Sequence, residues 1–176
     1  MKILRKFEFF FIIEEYSEVS KKEELCKYFL VPFFLSLIVF IPGIYSKNLY
    51  QILIENSLTV ISILTGFNLA SLSIILSGSS ESIKRMKEKQ VKKRSLRKKR
   101  ITFYKLYLII LSFTIVWSVF LIIFLLFQLL IQNLINDFIL FQKFFISIDL
   151  TTIFSSLILT TSNVTNTYFA FFNEDK

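Results

Sequence analysis

Residues 108–127 read LIILSFTIVWSVFLIIFLLF, twenty consecutive positions without a charge. The hydrocarbon core of a bilayer is about 30 Å thick and an α-helix rises about 1.5 Å per residue, so a run of about 20 apolar residues is the length that crosses it. The segment around this run, roughly 103–132, exceeds that length and is expected to tilt in the membrane or protrude from it.

Three further apolar runs accompany it. Residues 28–45 carry Pro32 in the opening turn, where a missing N–H costs little, and Pro42 and Gly43 near the far end, where they close the helix. Residues 51–77 follow, uncharged from Asn56 to Ser80, and residues 144–172 come last, uncharged from Leu150. The chain is 54% hydrophobic with a mean hydropathy of +0.62, and it holds 22 Phe against 3 Gly and 2 Pro, which leaves no segment for a separate soluble core. The expected fold is all-α, an integral membrane bundle of four transmembrane helices. Residues 1–27 are expected as a cytoplasmic juxtamembrane segment, 28–176 as the membrane domain, and 78–102 as a basic cytoplasmic loop within it. Short hinges predict antiparallel hairpins for the first and second spans and for the third and fourth.

Orientation follows from charge, because cytoplasmic flanks collect Lys and Arg. With the N-terminus inside, nineteen of the 21 Lys and Arg fall on the cytoplasmic side and only Lys47 and Lys143 fall outside. Both termini are therefore expected in the cytoplasm. Lys2, Arg5 and Lys6 resemble the start of a signal peptide, but the apolar run behind them is short, contains Glu8 and ends in Glu14 and Glu15 without a small-residue cleavage site.

Composition also narrows the chemistry. There is no His and one Cys, Cys26. A zinc site needs about four ligands, so neither a metal site nor any other cofactor is expected. Gly43, Gly66 and Gly78 are too scattered to cradle a phosphate, and no base accompanies the abundant Ser and Thr inside the spans. No catalytic residue is assigned.

Three constellations remain. The basic tract holds eleven cations in residues 84–100 against one acid, Glu88. Lys84, Arg85, Lys92, Lys93, Arg94, Arg97, Lys98, Lys99 and Arg100 are its candidate binding residues. Each cation close to an anionic leaflet contributes about 1 kcal/mol of attraction, so anionic headgroups are the first expected partner. A cytoplasmic protein or a phosphate backbone is the sharper alternative, nucleic acid being less favoured because no aromatic residues interleave the cations for base stacking.

In the second span Ser62, Gly66, Ala70, Ser73 and Ser77 recur at i+3 or i+4. Small residues at that spacing let helices approach closely, either inside the bundle or at a subunit interface of a homo-oligomer. The last span is unusually polar: Thr152, Ser156, Asn163 and Thr167 share one stripe, and Asn166 adds a second amide. Burial in the bundle through interhelical hydrogen bonds, the wall of a pore, and a helix lying partly outside the membrane are the three readings. Asp149, just before the uncharged run, is expected as a helix N-cap, with an acidic ring at a pore mouth together with Glu55 and Asp137 as the alternative. The apolar cluster Phe7 to Ile13 could lie in the interface plane, pack under the bundle or dock a partner.

Residues 59–87, TVISILTGFNLASLSIILSGSSESIKRMK, lead through the basic tract into YKLYLIILSF at 104–113. This passage resembles small bacterial membrane proteins found beside phage-defence genes, including the membrane subunit of Kiwa-type systems and the membrane effectors attached to some retrons. The resemblance covers the second and third spans. It implies a non-enzymatic, oligomeric, multi-pass protein of the bacterial inner membrane that perturbs the membrane or signals there to a cytoplasmic partner encoded nearby. A constitutive ion channel or transporter subunit, and a scaffold that recruits a partner through the basic loop, are the alternatives. A coupled transporter is disfavoured by the absence of a charge at mid-membrane.

Overall fold

The structure, a computed structural model, describes residues 8–20, 24, 26–41, 47–94, 100–135 and 138–172. In chain order its elements are α1 (Glu8–Val19), α2 (Cys26–Phe40), α3 (Lys47–Ser77), α4 (Glu81–Glu88), the strands β1 (Gln90–Arg94) and β2 (Arg100–Thr102), α5 (Phe103–Ile135) and α6 (Ile139–Phe172). Among the described residues, three helices are long and apolar enough to cross a membrane, over Tyr50–Ser77, Phe103–Ile131 and Ile139–Tyr168.

The expected first span is shorter than residues 28–45. α2 covers Cys26–Phe40, and residues 42–46 lie outside the described ones. It also changes winding twice, from a π turn over Cys26–Leu30 through α-helix over Val31–Ser36 to a 3-10 turn over Leu37–Phe40. Pro32 explains the first change. Its ring has no N–H and crowds the carbonyl four residues back, and a wider turn immediately upstream relieves that conflict. The other helices start earlier than their uncharged cores. α3 begins at Lys47 and α6 at Ile139, because a helix end is set by backbone geometry and can carry charges past the apolar run.

α6 packs against α2, α3 and α5. Contacts fix the directions. Tyr28 of α2 meets Ser162 of α6, and Ser36 of α2 meets Ser147, so these two helices are antiparallel. Tyr50 and Ile54 of α3 pack with Leu125 of α5 and Ile146 of α6, whereas Ile75 packs with Tyr107 and Leu111 of α5. Successive helices α2, α3, α5 and α6 therefore alternate in direction. α5 is two-faced. Leu111, Leu121 and Leu125 are buried, while Ile123, Phe127 and Leu130 (82% exposed) form an oily outer surface shared with Phe34 and Ile38 of α2. Apolar exposure of that extent suits contact with lipid tails rather than water.

The expected loop at 78–102 is structured at its ends. Gly78 makes the turn out of α3, since a Cβ there would collide with Ile83 Cδ1 and sit 2.8 Å from the Ile74 carbonyl oxygen. Ser80 then caps α4, its hydroxyl accepting from the Ile83 N–H at 3.4 Å. α4 buries Ile83 and Met86 and leaves Lys84 and Arg85 exposed. β1 and β2 form an antiparallel ribbon that pairs Gln90 with Thr102, Val91 with Ile101 and Arg94 with Arg100, with an irregularity between Val91 and Arg94.

Of the three options for the N-terminal segment, α1 packs against the bundle. Tyr16 and Val19 are buried with Leu106, Ile109 and Phe113 of α5. The Tyr16 and Phe113 rings stack at 3.7 Å with their planes 3° apart, and Glu15 Oε1 lies 2.8 Å from Lys105 Nζ.

Candidate functional site

Isolated Ser and Thr in a long apolar helix can satisfy themselves by donating to the carbonyl four residues back. α3 does this at Ser57, Thr65, Ser71, Ser73 and Ser77. α6 does it at Thr151, Ser155, Thr161, Thr165 and Thr167, and Thr152 reaches both the Ile148 and Asp149 carbonyls at 2.9 Å. Amides and carboxyls carry more hydrogen-bonding atoms than one carbonyl can serve, so they need partners on other helices.

Asn163 (1% exposed) finds them on both long neighbours. Its Nδ2 donates to Asn68 Oδ1 of α3 at 3.2 Å and to Thr114 Oγ1 of α5 at 3.1 Å. Asn68 Nδ2 in turn donates to Thr160 Oγ1 at 3.1 Å and to the Leu64 carbonyl at 2.8 Å. A second cluster lies about 21 Å away along α6, the rise of 14 residues. There Gln128 Nε2 of α5 donates to Asp149 Oδ1 at 2.7 Å, and the Tyr50 hydroxyl of α3 donates to Gln128 Oε1 at 3.3 Å. Asp149 is 1% exposed and ten residues inside α6, so it is neither an N-cap nor part of a ring at a pore mouth. Glu55 is exposed and bonded to Gln51 at 2.9 Å, and Asp137 lies outside the described residues. The start of the uncharged run at Leu150 had suggested a helix end, but α6 runs through it.

Between the clusters Ser156 is fully buried. Among the described residues, three atoms on this face have no protein hydrogen-bond partner: Asp149 Oδ2, Ser156 Oγ and Asn163 Oδ1. They recur every seven residues, about 10.5 Å apart, which keeps them on the seam that α6 presents to α3 and α5. Thr152 and Thr167 are half-buried on the same stripe, and the Tyr107 hydroxyl of α5 bonds Thr167 at its end. The predicted stripe is thus brought together inside one bundle rather than opened to a lumen. Its partners Tyr50, Thr114 and Gln128 carried no signal in the sequence, because α3 and α5 each hold several polar residues and nothing in their spacing singles these out.

Asn166 belongs elsewhere. With Ser162 it faces α1 and α2 across a cavity of about 200 Å³ whose other walls include Tyr16, Glu24, Tyr28, Phe103 and Tyr107. Burial pushes the Tyr16 phenol up to about 12, an effect that Ser20 beside it only partly offsets. Among the described residues, no hydrogen bond of good geometry satisfies its hydroxyl. The opposite face of α6 also binds α2, through Ser36 to Ser147 at 2.8 Å and Thr151 to Ser36 at 2.9 Å.

The small residues of α3 do not pack inside the bundle. Ser62, Gly66, Ala70 and Ser73 are exposed, and a Cβ at Gly66 would have nothing within 4 Å. In the basic tract Arg85 lies 3.9 Å from Glu81, and Lys87 sits 5.0 Å above the Tyr104 ring. Lys92, Lys93, Arg94 and Arg100 contribute backbone to the ribbon, and Arg97, Lys98 and Lys99 lie outside the described residues. Comparison with known protein families, with curated proteins and with solved structures finds no match to this chain.

Proposed function

We propose that the chain is a non-enzymatic, multi-pass protein of a bacterial inner membrane that keeps a polar column sealed at rest and opens it when triggered, depolarising the membrane as an anti-phage effector would. The observation that carries this reading is the row of buried, unpartnered polar atoms at Asp149, Ser156 and Asn163. An unsatisfied polar group costs about 1–3 kcal/mol, so a bundle selected only for stability would replace them with apolar residues. An ionisable side chain within a membrane helix points to function for the same reason.

Four passes with both ends in the cytoplasm are the topology we propose, supported by the alternating directions of α2, α3, α5 and α6 and by the charge asymmetry of the chain. α2 is about 22 Å long by helical rise, short for a core of about 30 Å, so local thinning of the bilayer is part of this topology. The outward row Ser62, Gly66, Ala70 and Ser73 supports assembly into a homo-oligomer, because its shallow surface admits another helix closely. The exposed cations of α4 favour anionic headgroups or an acidic cytoplasmic partner. The defence setting rests on the resemblance of residues 59–113.

The test is to follow membrane potential with a voltage-sensitive dye in cells expressing the full chain with its genomic neighbours, before and after phage challenge. Depolarisation on challenge is expected, and Asn163→Leu and Asp149→Leu should each abolish it while the protein still reaches the membrane. Challenge without depolarisation, or depolarisation indifferent to both changes, sinks the proposal. A channel or transporter subunit is favoured by one observation, the carboxyl of Asp149 inside a helix long enough to span. It would give steady conductance without growth loss.

A further inference from the structure

We propose that the polar column of α6 passes protons rather than metal ions, by way of its hydroxyls, its one carboxyl and internal water. This rests on the conduction proposed above and names what is conducted. The stripe extends beyond its three orphaned atoms. Gln142 continues it, so that Gln142, Asp149, Ser156 and Asn163 recur every seven residues, each 1% exposed or less. A seven-residue step drifts by about 20° around a straight helix, which holds all four within about 60°. The rise from Gln142 to Asn163 is about 32 Å, which matches a hydrocarbon core of about 30 Å. Asn163 bonds Thr114 and Asp149 bonds Gln128, fourteen residues apart on each helix, so α5 and α6 run antiparallel in a fixed register. That register sets Ser118 of α5, itself fully buried, at a level between Ser156 and Asn163, while Thr152 lies between Asp149 and Ser156 on α6. From Asp149 to Asn163 successive polar groups then stand about 4.5–6 Å apart by helical rise. One water bridges such a step with two hydrogen bonds of about 2.8 Å, and buried polar atoms without a protein partner are where internal water is held.

A metal ion sheds its water only where several oxygens surround it at once. Here the polar groups are strung singly along the seam, and Tyr50, Ile54, Leu125 and Ile146 pack together at the level of Asp149. A proton needs one acceptor at a time, so a slight loosening of this packing opens a path for it. Asp149 makes the exchange. Its Oδ2 takes a proton from water on one side, the carboxyl releases a proton to water on the other, and the carboxylate is restored with no other bond made or broken. Around it, α5 supplies Gln128, α3 supplies Tyr50 through Gln128, and α2 reaches this part of α6 through the Ser36 hydroxyl. No Lys or Arg pairs with the Asp149 carboxyl among the described residues, so no fixed charge pins it in one state.

Cells expressing the full chain with its genomic neighbours are challenged with phage while a voltage-sensitive dye reports membrane potential and a pH-sensitive fluorescent protein reports cytoplasmic pH. The medium is acidic, and its Na+ and K+ are replaced by N-methylglucamine. Depolarisation should persist without the metal ions, and the cytoplasm should acidify toward the medium further than in cells lacking the chain. Asp149→Asn keeps the shape of the side chain and an acceptor for Gln128 but cannot exchange a proton, and it should abolish the acidification. Ser156→Ala removes one hydroxyl and should slow acidification about tenfold, equivalent to about 1.4 kcal/mol of barrier. Thr161→Val, whose hydroxyl bonds its own helix away from the stripe, should leave the rate unchanged. If Asp149→Asn fails to reach the membrane, Ser156→Ala and the wild-type response to ion replacement still decide. Depolarisation that needs Na+ or K+ and leaves cytoplasmic pH steady overturns the proton assignment while conduction stands. Acidification at the wild-type rate in both Asp149→Asn and Ser156→Ala overturns it as well. No depolarisation in any medium removes conduction itself, and this inference with it.

Discussion

Tyr16 lies flat on Phe113 with its hydroxyl buried, at the point where α1 joins α5. Ionising the phenol would place a charge where water does not reach, and burial accordingly holds its titration at about 12 against an ordinary value of 10.0. A phenol raised in the folded state stabilises the fold fully below its unfolded value, and that stability is lost as pH rises through the folded value. Stability of the detergent-solubilised protein should therefore decline between pH 10 and about 12, by at most about 1.4 kcal/mol per pH unit from this residue. Unfolding titrations across that window should show a shallower decline in Tyr16→Phe, and equal declines would contradict the assignment. Single polar residues divide sharply in how well they can be read beforehand. Asn68 announces its need for a partner, because an amide in an apolar helix has no other way to be satisfied. Gln128 and Asp149 do not, since their pairing depends on which helices become neighbours.

At the scale of the element, α6 repays attention to helical spacing. Thr152, Ser156, Asn163 and Thr167 follow a period that any straight helix must respect, so their shared face was legible from residue numbers alone. What lay across from that face was not, because spacing within one helix says nothing about its neighbours. Asn166, only three residues beyond Asn163, turned toward α1 and α2, while the small residues of α3 turned outward. The bond set around Asn163 makes a quantitative claim about the seam. Asn68→Leu removes partners of both Thr160 and Asn163, and interhelical hydrogen bonds in membranes contribute about 0.6–2 kcal/mol. Loss of about 1–2 kcal/mol is expected in SDS-driven unfolding from mixed micelles, whereas Thr161→Val, whose hydroxyl bonds only its own helix, should change stability by less than about 0.5 kcal/mol. Comparable losses in the two variants would mean that the seam is not held by these bonds.

At the scale of the whole molecule, buried polar side chains sit among three apolar clusters, while large apolar side chains cover much of the outer surface of the long helices. Apolar runs made the three long helices legible because the length of a lipid-crossing helix is a physical constant of the bilayer. The shortness of α2 was hidden by its apolar flanks, and the strands Gln90–Arg94 and Arg100–Thr102 were hidden by their charge, which outweighs strand propensity in any local reading. The unequal polarity of α5 and α6 has a consequence for how the protein is made. A helix bearing Asp149, Asn163 and a dozen hydroxyls and amides partitions poorly from the translocation channel into lipid by itself, while α5 enters readily. The pair is joined by a very short connection and hydrogen-bonded through Gln128, Thr114 and Tyr107. They should therefore leave the translocon as one hairpin, with α5 carrying its partner. In a glycosylation-mapping assay, α6 placed alone behind a reporter domain should insert in a minority of chains, and restoring α5 ahead of it should bring insertion close to completion.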